Sequence, residues 1–509
     1  MDISRRWRIT AQVLSLLGFL WLFLQTEYRG TDELAYPVSL LFRLDPLALL
    51  AALFAPGESN LLSLWPAFLL LVLTFLFGRF FCSWLCPLGT VFDFLGKPLR
   101  RPGKAIPGWP RAKYYLLLAL CVASLCGLQL FGLLDPLSIF LRSFTLALNP
   151  LWNLLANGAF DWLYQVKVPL LSPAADMVYP FFRDHLLAFR QPVFLLSFFT
   201  ALVFLLLILL ERLQPRFWCR NICPLGALLG LCSRHSLLQR KPQTNCPDCA
   251  LCSATCRMGA TREESAQGAE CIRCLDCLDF CPQQRVSFSF QKGPERSFSF
   301  SRRAMLGVTA GGALLAPLAA VAPAAGLYRD DLIRPPGAVA EEEFLRRCIR
   351  CGECMKVCIG GALHPDLLRG GTFSLWSPVL VARLGYCEYD CTLCGQVCPT
   401  GAIRLLQVEE KRKTRIGLAV IDKNRCLPYA RGEECLVCEE HCPTGKKAIV
   451  FDQREVLVGS EPRTLLQPRV EKDLCIGCGI CETRCPVAGA SAVRIISEGE
   501  SRSAKGLML

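Results

Sequence analysis

The chain has 509 residues, of which 52% are hydrophobic and 19% are charged, and its net charge is +13. This composition excludes a disordered protein and is too apolar for an ordinary soluble one. Thirty-one cysteines against four histidines argue against a haem protein and against histidine-rich zinc enzymes. Much of the positive charge flanks apolar segments, which favours a membrane topology over nucleic-acid binding.

Four stretches are long and apolar enough to cross a bilayer, which takes about 20 helical residues. They lie at 9–25, 61–81, 114–134 and 192–210. Lys and Arg concentrate at the amino terminus and after the second and fourth stretches, so the positive-inside rule places both ends of this half in the cytoplasm. We therefore predict a four-helix membrane domain at 1–238, with a longer loop after the third stretch.

This half contains an internal repeat. The segment RFFCSWLCPLG at 79–89 matches RFWCRNICPLG at 216–226, and Leu-Asp-Pro-Leu occurs at Asp45 and again at Asp135. Parallel repeats predict a pseudo-two-fold axis along the membrane normal. An Asp before Pro suits the start of a short helix, so both aspartates have a capping interpretation. The alternative is a quinol site, because ionisable groups near a membrane often mark function.

Each repeat carries a Cys-x-x-x-Cys-Pro site at the inner end of a predicted membrane helix. The four cysteines are Cys82, Cys86, Cys219 and Cys223. This spacing puts both thiols of a pair on one helical face, so the two pairs can converge. Three interpretations stay open: a metal or iron–sulfur site, a dithiol relay, or packing of small thiols. Because the pattern recurs, we favour a redox or metal site.

Twenty-four further cysteines form six groups of four. The groups are Cys246, Cys249, Cys252 and Cys256; Cys271, Cys274, Cys277 and Cys281; Cys348, Cys351, Cys354 and Cys358; Cys387, Cys391, Cys394 and Cys398; Cys426, Cys435, Cys438 and Cys442; and Cys475, Cys478, Cys481 and Cys485. The run C-x2-C-x2-C-x3-C is that of bacterial ferredoxins and predicts one [4Fe–4S] cluster per motif, about six in all. Zinc and disulfides fit such closely spaced and repeated thiols poorly.

The first two motifs predict a two-cluster ferredoxin module at 239–292. The last cysteine of each motif is expected to reach the neighbouring cluster, which places Cys281 with the first motif and Cys256 with the second. The last four motifs predict an α+β ferredoxin-like domain at 336–509. There, an eight-residue gap before Cys435 weakens the prediction that Cys426 is a ligand.

A segment at 293–335 joins the two modules. Its sequence SRRAML at 301–306 resembles a twin-arginine export signal, and a weakly apolar stretch follows at 304–327. A flexible linker with a chance pair of arginines is the alternative. We favour a fifth membrane crossing, which leaves the two-cluster module in the cytoplasm and puts the four-cluster domain in the periplasm.

The repeats at 79–89 and 216–226, with the motifs at 246–281, resemble the NapH family of membrane quinol dehydrogenase subunits. The twin-arginine segment and the motifs at 348–485 resemble the NapG family, its periplasmic four-cluster partner. The resemblance implies a natural fusion of the two in the bacterial inner membrane. It also implies that the first motif of the four-cluster domain pairs with its fourth motif, and the second with the third.

Motifs and resemblance together predict an integral-membrane iron–sulfur conduit from the quinol pool to a periplasmic reductase or c-type cytochrome, without haem. Asp45 and Asp135 are the candidate quinol-site residues. A cytoplasmic redox donor is an alternative source of electrons, because two clusters lie on that side. The alternative class of function is a membrane metal reductase that helps to assemble a copper or haem enzyme, with the Cys-x-x-x-Cys-Pro thiols binding the metal.

Overall fold

The computed structural model describes residues 3–34, 36–55, 64–99, 111–166, 171–242, 251–260, 268–281, 286–290, 301–325, 331–458 and 461–502. The chain folds into two compact units. The first unit comprises Met1–Gln25, Tyr36–Phe144 and Phe198–Leu318, and the second comprises Thr26–Ala35, Thr145–Ser197 and Ala319–Leu509. The first unit therefore combines most of the apolar helices with the two-cluster motifs. The second combines the four-cluster motifs with two segments from the amino-terminal half.

Helices dominate the first 325 residues and become short in the cysteine-rich remainder. In chain order they are α1 (Ile3–Gln25), α2 (Pro46–Phe54), α3 (Trp65–Phe77), α4 (Phe81–Trp84), α5 (Pro87–Leu99), α6 (Ala112–Leu125), α7 (Phe131–Leu134), α8 (Pro136–Ser143), α9 (Asn149–Val166), α10 (Leu171–His185), α11 (Ser197–Leu209), α12 (Phe217–Asn221), α13 (Pro224–Ser233), α14 (Leu251–Thr255), α15 (Asp276–Asp279), α16 (Arg302–Ala325), α17 (Glu341–Arg347), α18 (Glu353–Lys356), α19 (Leu393–Gln396), α20 (Val408–Lys413), α21 (Leu427–Ala430), α22 (Val437–Glu440) and α23 (Ile480–Arg484).

The strands are short and pair two by two in antiparallel fashion. In chain order they are β1 (Leu238–Pro242), β2 (Val286–Phe290), β3 (Leu363–Pro365), β4 (Pro378–Leu380), β5 (Leu418–Ile421), β6 (Ile449–Val458), β7 (Glu461–Val470) and β8 (Val493–Ile496). The pairs are β1 with β2, β3 with β4, β5 with β8, and β6 with β7. Short helices after cysteine loops, joined by such pairs, agree with the predicted ferredoxin-type modules.

One of the four predicted membrane spans forms a helix that is long and apolar enough to cross a bilayer. Within the described residues this is α1, over Ser4–Gln25. The helices α3, α6 and α11 have 13, 14 and 13 residues, fewer than the roughly 20 that a full span takes. The 24-residue helix α16 occupies the predicted fifth crossing. The four-span arrangement and the fifth crossing therefore stay predictions.

The two copies of the repeat have the same local structure. In each copy a short helix, α4 or α12, leads through Cys-Pro into a longer helix, α5 or α13. The Leu-Asp-Pro-Leu segments begin α2 and α8, where Pro with its fixed φ suits the first helical position. The side chain of Asp45 accepts a hydrogen bond from Leu47 N at 2.9 Å, and that of Asp135 accepts one from Ser138 N at 2.6 Å. The capping interpretation is confirmed for both aspartates.

The longer loop after the third stretch holds two helices that the sequence analysis did not predict. The helices α9 and α10 pack together through aromatic rings, with centroids 4.9 Å apart for Phe160 and Tyr179 and 5.5 Å apart for Phe160 and Phe182. Both helices belong to the second unit. This segment is therefore structured, and its own aromatic contacts hold the two helices together.

Candidate iron–sulfur and thiol sites

Two cavities in the four-cluster domain are each lined by four cysteines drawn from two motifs. One is lined by Cys348, Cys351, Cys354 and Cys398. The other is lined by Cys387, Cys391, Cys394 and Cys358. The first two motifs of this domain therefore exchange their last cysteines. The pairing of first with fourth motif that the resemblance implied is wrong for this chain, because Cys358 and Cys398 each cross to the adjacent motif.

The last two motifs of this domain pair in the same way. A third cavity is lined by Cys475, Cys478, Cys481 and Cys442. Cys426 lies within electrostatic range of Cys435 and Cys485, and Cys438 lies within range of these three thiols.

Cys426 therefore belongs to the fourth site despite the gap that separates it from Cys435. It is only 7% exposed and packs against Cys485 and Ala492. The intervening residues include the short helix α21, which begins directly after Cys426. The gap is thus taken up by a turn that keeps Cys426 beside the other three thiols.

A backbone hydrogen bond links the two pairs of sites. Cys387 N donates to Cys478 O at 2.8 Å, and Ile476, Cys478 and Ile480 pack against Tyr386, Cys387 and Tyr389. The sites therefore follow one another in a series that begins with the Cys348 site, continues through the Cys387 and Cys475 sites, and ends with the Cys426 site. This spatial order differs from the order along the chain, where the Cys426 motif precedes the Cys475 motif.

The cysteine loops have a backbone shape that wraps around their thiols. In three motifs, the residues on either side of the second cysteine have positive φ. Around Cys274 they are Arg273 at 52° and Leu275 at 64°, and around Cys478 they are Gly477 at 73° and Gly479 at 84°. In the Cys348 motif the corresponding residues are Arg350 at 56° and Gly352 at 87°. This region is unfavourable for Arg and Leu, and such strain persists where the surrounding structure enforces it. The loop geometry supports a shared role in holding a group.

The sulfur atoms accept hydrogen bonds of the kind that tune cluster thiolates. Backbone N–H groups donate to Cys358 Sγ at 3.3 Å, from Ala362, and to Cys485 Sγ at 3.4 Å, from Ala492. Within the described residues, no three Cys, His, Asp or Glu side chains are close enough together to hold a single metal ion. A cubane holds its four thiolates farther apart than a zinc ion does, so the donor sets fit [4Fe–4S] clusters and not zinc.

Burial keeps these thiols protonated in the absence of a cofactor. It raises the pKa of Cys478 to about 12 and the pKa of Cys426 to about 11, with neighbouring thiols adding to the effect at Cys426. A coordinating metal deprotonates a thiol outright, so bound iron would supply the charge that makes these groups thiolates.

A buried lysine lies beside the second site. Lys411 is 2% exposed, and its ammonium donates to the carbonyl oxygens of Glu388 and Tyr389, at 2.6 Å for the latter. It also lies against the Cys387 thiol and helps to counter the rise that burial causes in the pKa of that group. Both of these hydrogen-bond acceptors are uncharged carbonyl oxygens. An anionic group at the Cys387 site would supply its counter-charge.

In the first unit, one cavity brings together cysteines from both motifs of the two-cluster module. It is lined by Cys256, Cys271, Cys274 and Cys277, with Cys252 also on its wall. Placing Cys256 with the second motif agrees with the predicted exchange of last cysteines. The predicted set around Cys281 includes Cys246 and Cys249, which lie outside the described residues.

The four cysteines of the Cys-x-x-x-Cys-Pro sites converge. Cys223 lies within electrostatic range of Cys219, Cys82 and Cys86. All four side chains are buried, with exposed fractions of 4 to 8%. Gly226 N donates to Cys223 Sγ at 3.2 Å. We call this group the four-thiol site.

The arginines that open the repeats cross over to the opposite copy. Arg216 donates to Cys82 O at 2.6 Å and to Gly89 O at 3.3 Å, and it pairs with Asp93 at 2.8 Å. In the reciprocal contact, Arg79 Nη2 lies 2.7 Å from the point where a Cβ on Gly226 would stand. Glycine at the end of each Cys-Pro-Leu-Gly turn therefore leaves room for the guanidinium of the other copy.

Glu270 anchors the two-cluster module beneath the four-thiol site. Its carboxylate pairs with Arg79 at 3.3 Å and with Lys113, and it accepts a hydrogen bond from Tyr114 at 2.7 Å. Burial alone would raise the pKa of Glu270, but Lys113 and Arg79 outweigh burial and hold the pKa below its ordinary value. The sequence carried no signal for Glu270, whereas the recurrence of Arg at the start of both repeats pointed to Arg79 and Arg216.

A second buried chain of ion pairs joins the module to the helices. Arg257 bridges Asp93 at 2.8 Å and Asp276 at 2.9 Å, and Arg8 pairs with Asp276 from the other side. Arg8 also donates to Cys274 O at 3.0 Å. These contacts fix a cysteine loop of the module against α1 and α5.

Donor sets, loop shape and motif spacing together define an iron–sulfur protein of the ferredoxin type. A family model described as a 4Fe-4S binding domain matches residues 60–105 and 192–245, which contain both Cys-x-x-x-Cys-Pro sites, and another 4Fe-4S binding domain matches residues 468–488. No solved structure gives a significant match to the chain.

Known ferredoxin-type proteins are similar in sequence to about two fifths of the chain. Ferredoxin-type protein NapG of Escherichia coli is 37% identical over 197 residues, which is 37% of this chain and 80% of NapG. Methylamine utilization ferredoxin-type protein MauM of Methylorubrum extorquens is 36% identical over 204 residues, which is 38% of this chain and 89% of MauM. The chain belongs to the NapG/MauM family of ferredoxin-type iron–sulfur electron-transfer proteins.

Proposed function

We propose that the chain is an integral-membrane conduit of the bacterial inner membrane that takes electrons from quinol and passes them to a periplasmic reductase or c-type cytochrome. The two-cluster module faces the cytoplasm and the four-cluster domain faces the periplasm. The observation that supports this proposal is that predicted outer and predicted inner segments contact different cluster modules. Segments predicted on the outer side pack with the four-cluster domain, and the predicted inner helix ends pack with the two-cluster module.

The outer contacts involve the connections after the first and third predicted spans. Glu27 forms an ion pair with Lys356 at 2.6 Å. Asp32 accepts a hydrogen bond from Thr392 N at 2.9 Å. Arg190 donates to Gly360 O at 3.0 Å. Each contact joins a predicted periplasmic loop to a cysteine-rich segment of the four-cluster domain, as the proposed topology requires.

The inner contacts involve residues beside the basic segments that the positive-inside rule assigns to the cytoplasm. Ser4 donates to Asp279 at 2.6 Å, and Trp84 Nε1 donates to Arg273 O at 3.1 Å. Both acceptors belong to the second motif of the two-cluster module. Within its own unit, each module therefore packs against segments of the side that the proposal assigns to it.

The apolar helices present large side chains outwards. On α1 Leu14 is 62% exposed, on α3 Phe68 is 64% exposed, and on α11 Phe198 is 82% exposed. Soluble monomers rarely expose contiguous apolar faces of this kind, whereas a bilayer covers them. Helices shorter than the hydrocarbon thickness are accommodated by local thinning of the bilayer. The exposed faces therefore support insertion of this unit in a membrane.

Oxidation of a quinol to a quinone releases two electrons and two protons. Bound clusters supply one-electron transfer, and Asp45 and Asp135 are the proposed proton acceptors. The two carboxyl groups face each other across the repeats and are 1% and 2% exposed. Two buried carboxyls in such contact cannot both ionise readily, so the pair is suited to hold a proton and exchange it.

Anaerobic mixing with a quinol analogue tests this function. We expect quinol to bleach the cluster absorption of the purified protein rapidly. Asp45→Asn and Asp135→Asn should slow the bleaching at unchanged iron content, because Asn still caps a helix but is a poor proton acceptor. Cluster absorption that quinol leaves unchanged in the wild type would overturn the proposal. Wild-type rates in both variants would return the aspartates to capping alone.

Reporter fusions test the topology. A periplasm-specific reporter joined after Arg502 should be active, and the same reporter joined after Phe290 should be inactive. Activity after Phe290, or its absence after Arg502 in a chain that is inserted and stable, would contradict the sorting of the two modules.

A further inference from the structure

A buried guanidinium beside the four-thiol site has donors to spare. Arg79 is 0% exposed, and its Nη1 donates to Ala269 O at 3.1 Å and to Glu270. Within the described residues, its Nε and Nη2 are buried without a hydrogen-bond partner. The point where a Cβ on Gly226 would stand is 2.7 Å from Arg79 Nη2 and 3.5 Å from Cys223 Sγ. The same point is 3.5 Å from Cys219 O, and the thiols of Cys82 and Cys223 interact electrostatically with the Arg79 guanidinium.

Other groups around the site also favour negative charge. The helices α5 and α13 begin directly after Cys86 and Cys223, so two helix amino termini point towards thiols. Glu270 is shared by two cations, Arg79 and Lys113, and Asp93 is shared by Arg216 and Arg257. Glu270 thus faces two positive charges, and the excess of one is left for an anionic group, whereas at Asp93 the second cation, Arg257, also pairs with Asp276.

We propose that Cys82, Cys86, Cys219 and Cys223 together hold one further [4Fe–4S] cluster between the two repeats, with Arg79 donating a hydrogen bond to it. This inference rests on the electron-transfer function proposed above and names the group at its centre. A cubane takes four thiolates, and each repeat supplies two, so one cluster shared by both copies satisfies the donor set. Thiolates and sulfides are the acceptors that the spare guanidinium N–H groups require.

The alternatives fit these observations less well. Packing of neutral thiols, or a disulfide, would leave Nε and Nη2 of Arg79 without a strong hydrogen-bond acceptor, which is costly for buried donors. A single metal ion needs at least three ligands close together, and the described residues contain no such group. The described residues of the four-cluster domain, whose donor sets fit [4Fe–4S] clusters, likewise contain no such group. The four-thiol site therefore matches the cluster sites of this chain and differs from a zinc or copper site.

The count of clusters tests the proposal directly. Native mass spectrometry of the anaerobically prepared wild-type chain should give about seven cubanes, and chemical analysis about 28 irons and 28 labile sulfides, where the ferredoxin motifs alone account for about 24 of each. A fully loaded wild type with six cubanes would overturn the inference. This measurement needs no quinol, so failure of the proposed quinol reaction leaves its result unaffected.

A matched pair of variants locates the additional cluster. Cys219→Ala should lose about four irons, whereas Cys232→Ala, on α13 and outside the four-thiol site, should keep the wild-type content. Arg79→Lys keeps the charge but loses the forked donors, so it should retain the iron and lower the midpoint potential of one cluster in an electron paramagnetic resonance titration. Wild-type iron in Cys219→Ala would contradict the site, and an unchanged potential in Arg79→Lys would contradict the role of Arg79.

Discussion

The two copies of the Arg-x-x-Cys-x-x-x-Cys-Pro-Leu-Gly repeat differ in what compensates the arginine of the other copy. Asp93, four residues after Gly89, pairs with Arg216. The equivalent position after Gly226 is Gly230, which has no carboxylate to offer Arg79. Glu270 of the two-cluster module takes that role instead. The charge of Arg216 is therefore compensated within the helical repeat, whereas that of Arg79 is compensated only when the two-cluster module is docked.

This difference explains how a nearly symmetric pair of helices holds a single module in one orientation. Gly230 leaves space that is filled by Tyr114 and by the backbone of Ala269, whose oxygen would lie 3.1 Å from an added Cβ. Ala269 therefore helps to fill this space, and the next residue, Glu270, supplies the carboxylate that pairs with Arg79. The difference between Asp93 and Gly230 therefore makes the docking position of the module specific both sterically and electrostatically.

Among the substitutions that test this difference between the copies, removal of the Glu270 carboxylate should have the largest effect on stability. Glu270→Gln leaves Arg79 and Lys113 buried without the carboxylate that they share, which we expect to destabilise the first unit by about 3 kcal/mol. Thermal unfolding and limited proteolysis of the two-cluster module measure the effect. Glu434→Gln, the same substitution at an exposed carboxylate of the four-cluster domain, is the control. Equal stability of Glu270→Gln and wild type would show that docking does not depend on this charge.

The same carboxylate predicts a pH dependence. Because Lys113 and Arg79 outweigh burial and keep its folded-state pKa low, Glu270 contributes stability above the ordinary glutamate pKa. That contribution should be lost as the pH falls through the depressed value. Limited proteolysis of the two-cluster module at decreasing pH, in wild type and Glu270→Gln, checks this sign. The variant should lack the part of the pH dependence that Glu270 causes. Release favoured by rising pH would contradict it.

A side chain introduced at Gly230 tests whether the second copy needs this space for packing. A Cβ at this position would lie 2.8 Å from Tyr114 Oη, which is held by Glu270, so Gly230→Ala should destabilise the unit by about 1–3 kcal/mol. Gly158→Ala is the matched control, because a Cβ there meets nothing within 4 Å and α9 gains helix propensity. Stabilisation by both substitutions would remove the steric argument.

A smaller effect extends the comparison to the four-cluster domain, where Lys411 is a buried cation with carbonyl partners. Lys411→Met should leave the iron content unchanged and lower the midpoint potential of one cluster by about 60 mV, a tenfold change for a one-electron couple. Lys413→Met, two residues along on the exposed surface, should have no effect. Potentials that do not differ between the two variants would assign Lys411 a structural role.

The sequence predicted those parts of the molecule in which chemistry dictates spacing. The cysteine motifs, the repeat and the caps at Asp45 and Asp135 all reflect local rules. The pairing of motifs and the inclusion of Cys426 depend on how loops fold back, which spacing does not encode. Glu270 and Lys411 lie far along the chain from the groups that they contact, so no local pattern marks them. The span pattern predicts only a loop between the third and fourth stretches, so it does not indicate α9 and α10.

Electron transfer between the two sides of a membrane tests the central claim most directly. Purified protein is inserted into sealed, quinone-free vesicles that contain an oxidant, and a membrane-impermeant reductant is added outside. The account predicts that the wild type reduces the enclosed oxidant and that Cys82→Ser, at unchanged insertion, does so far more slowly. Vesicles in which neither protein reduces the oxidant, although the clusters facing the reductant are bleached, would contradict a continuous iron–sulfur conduit.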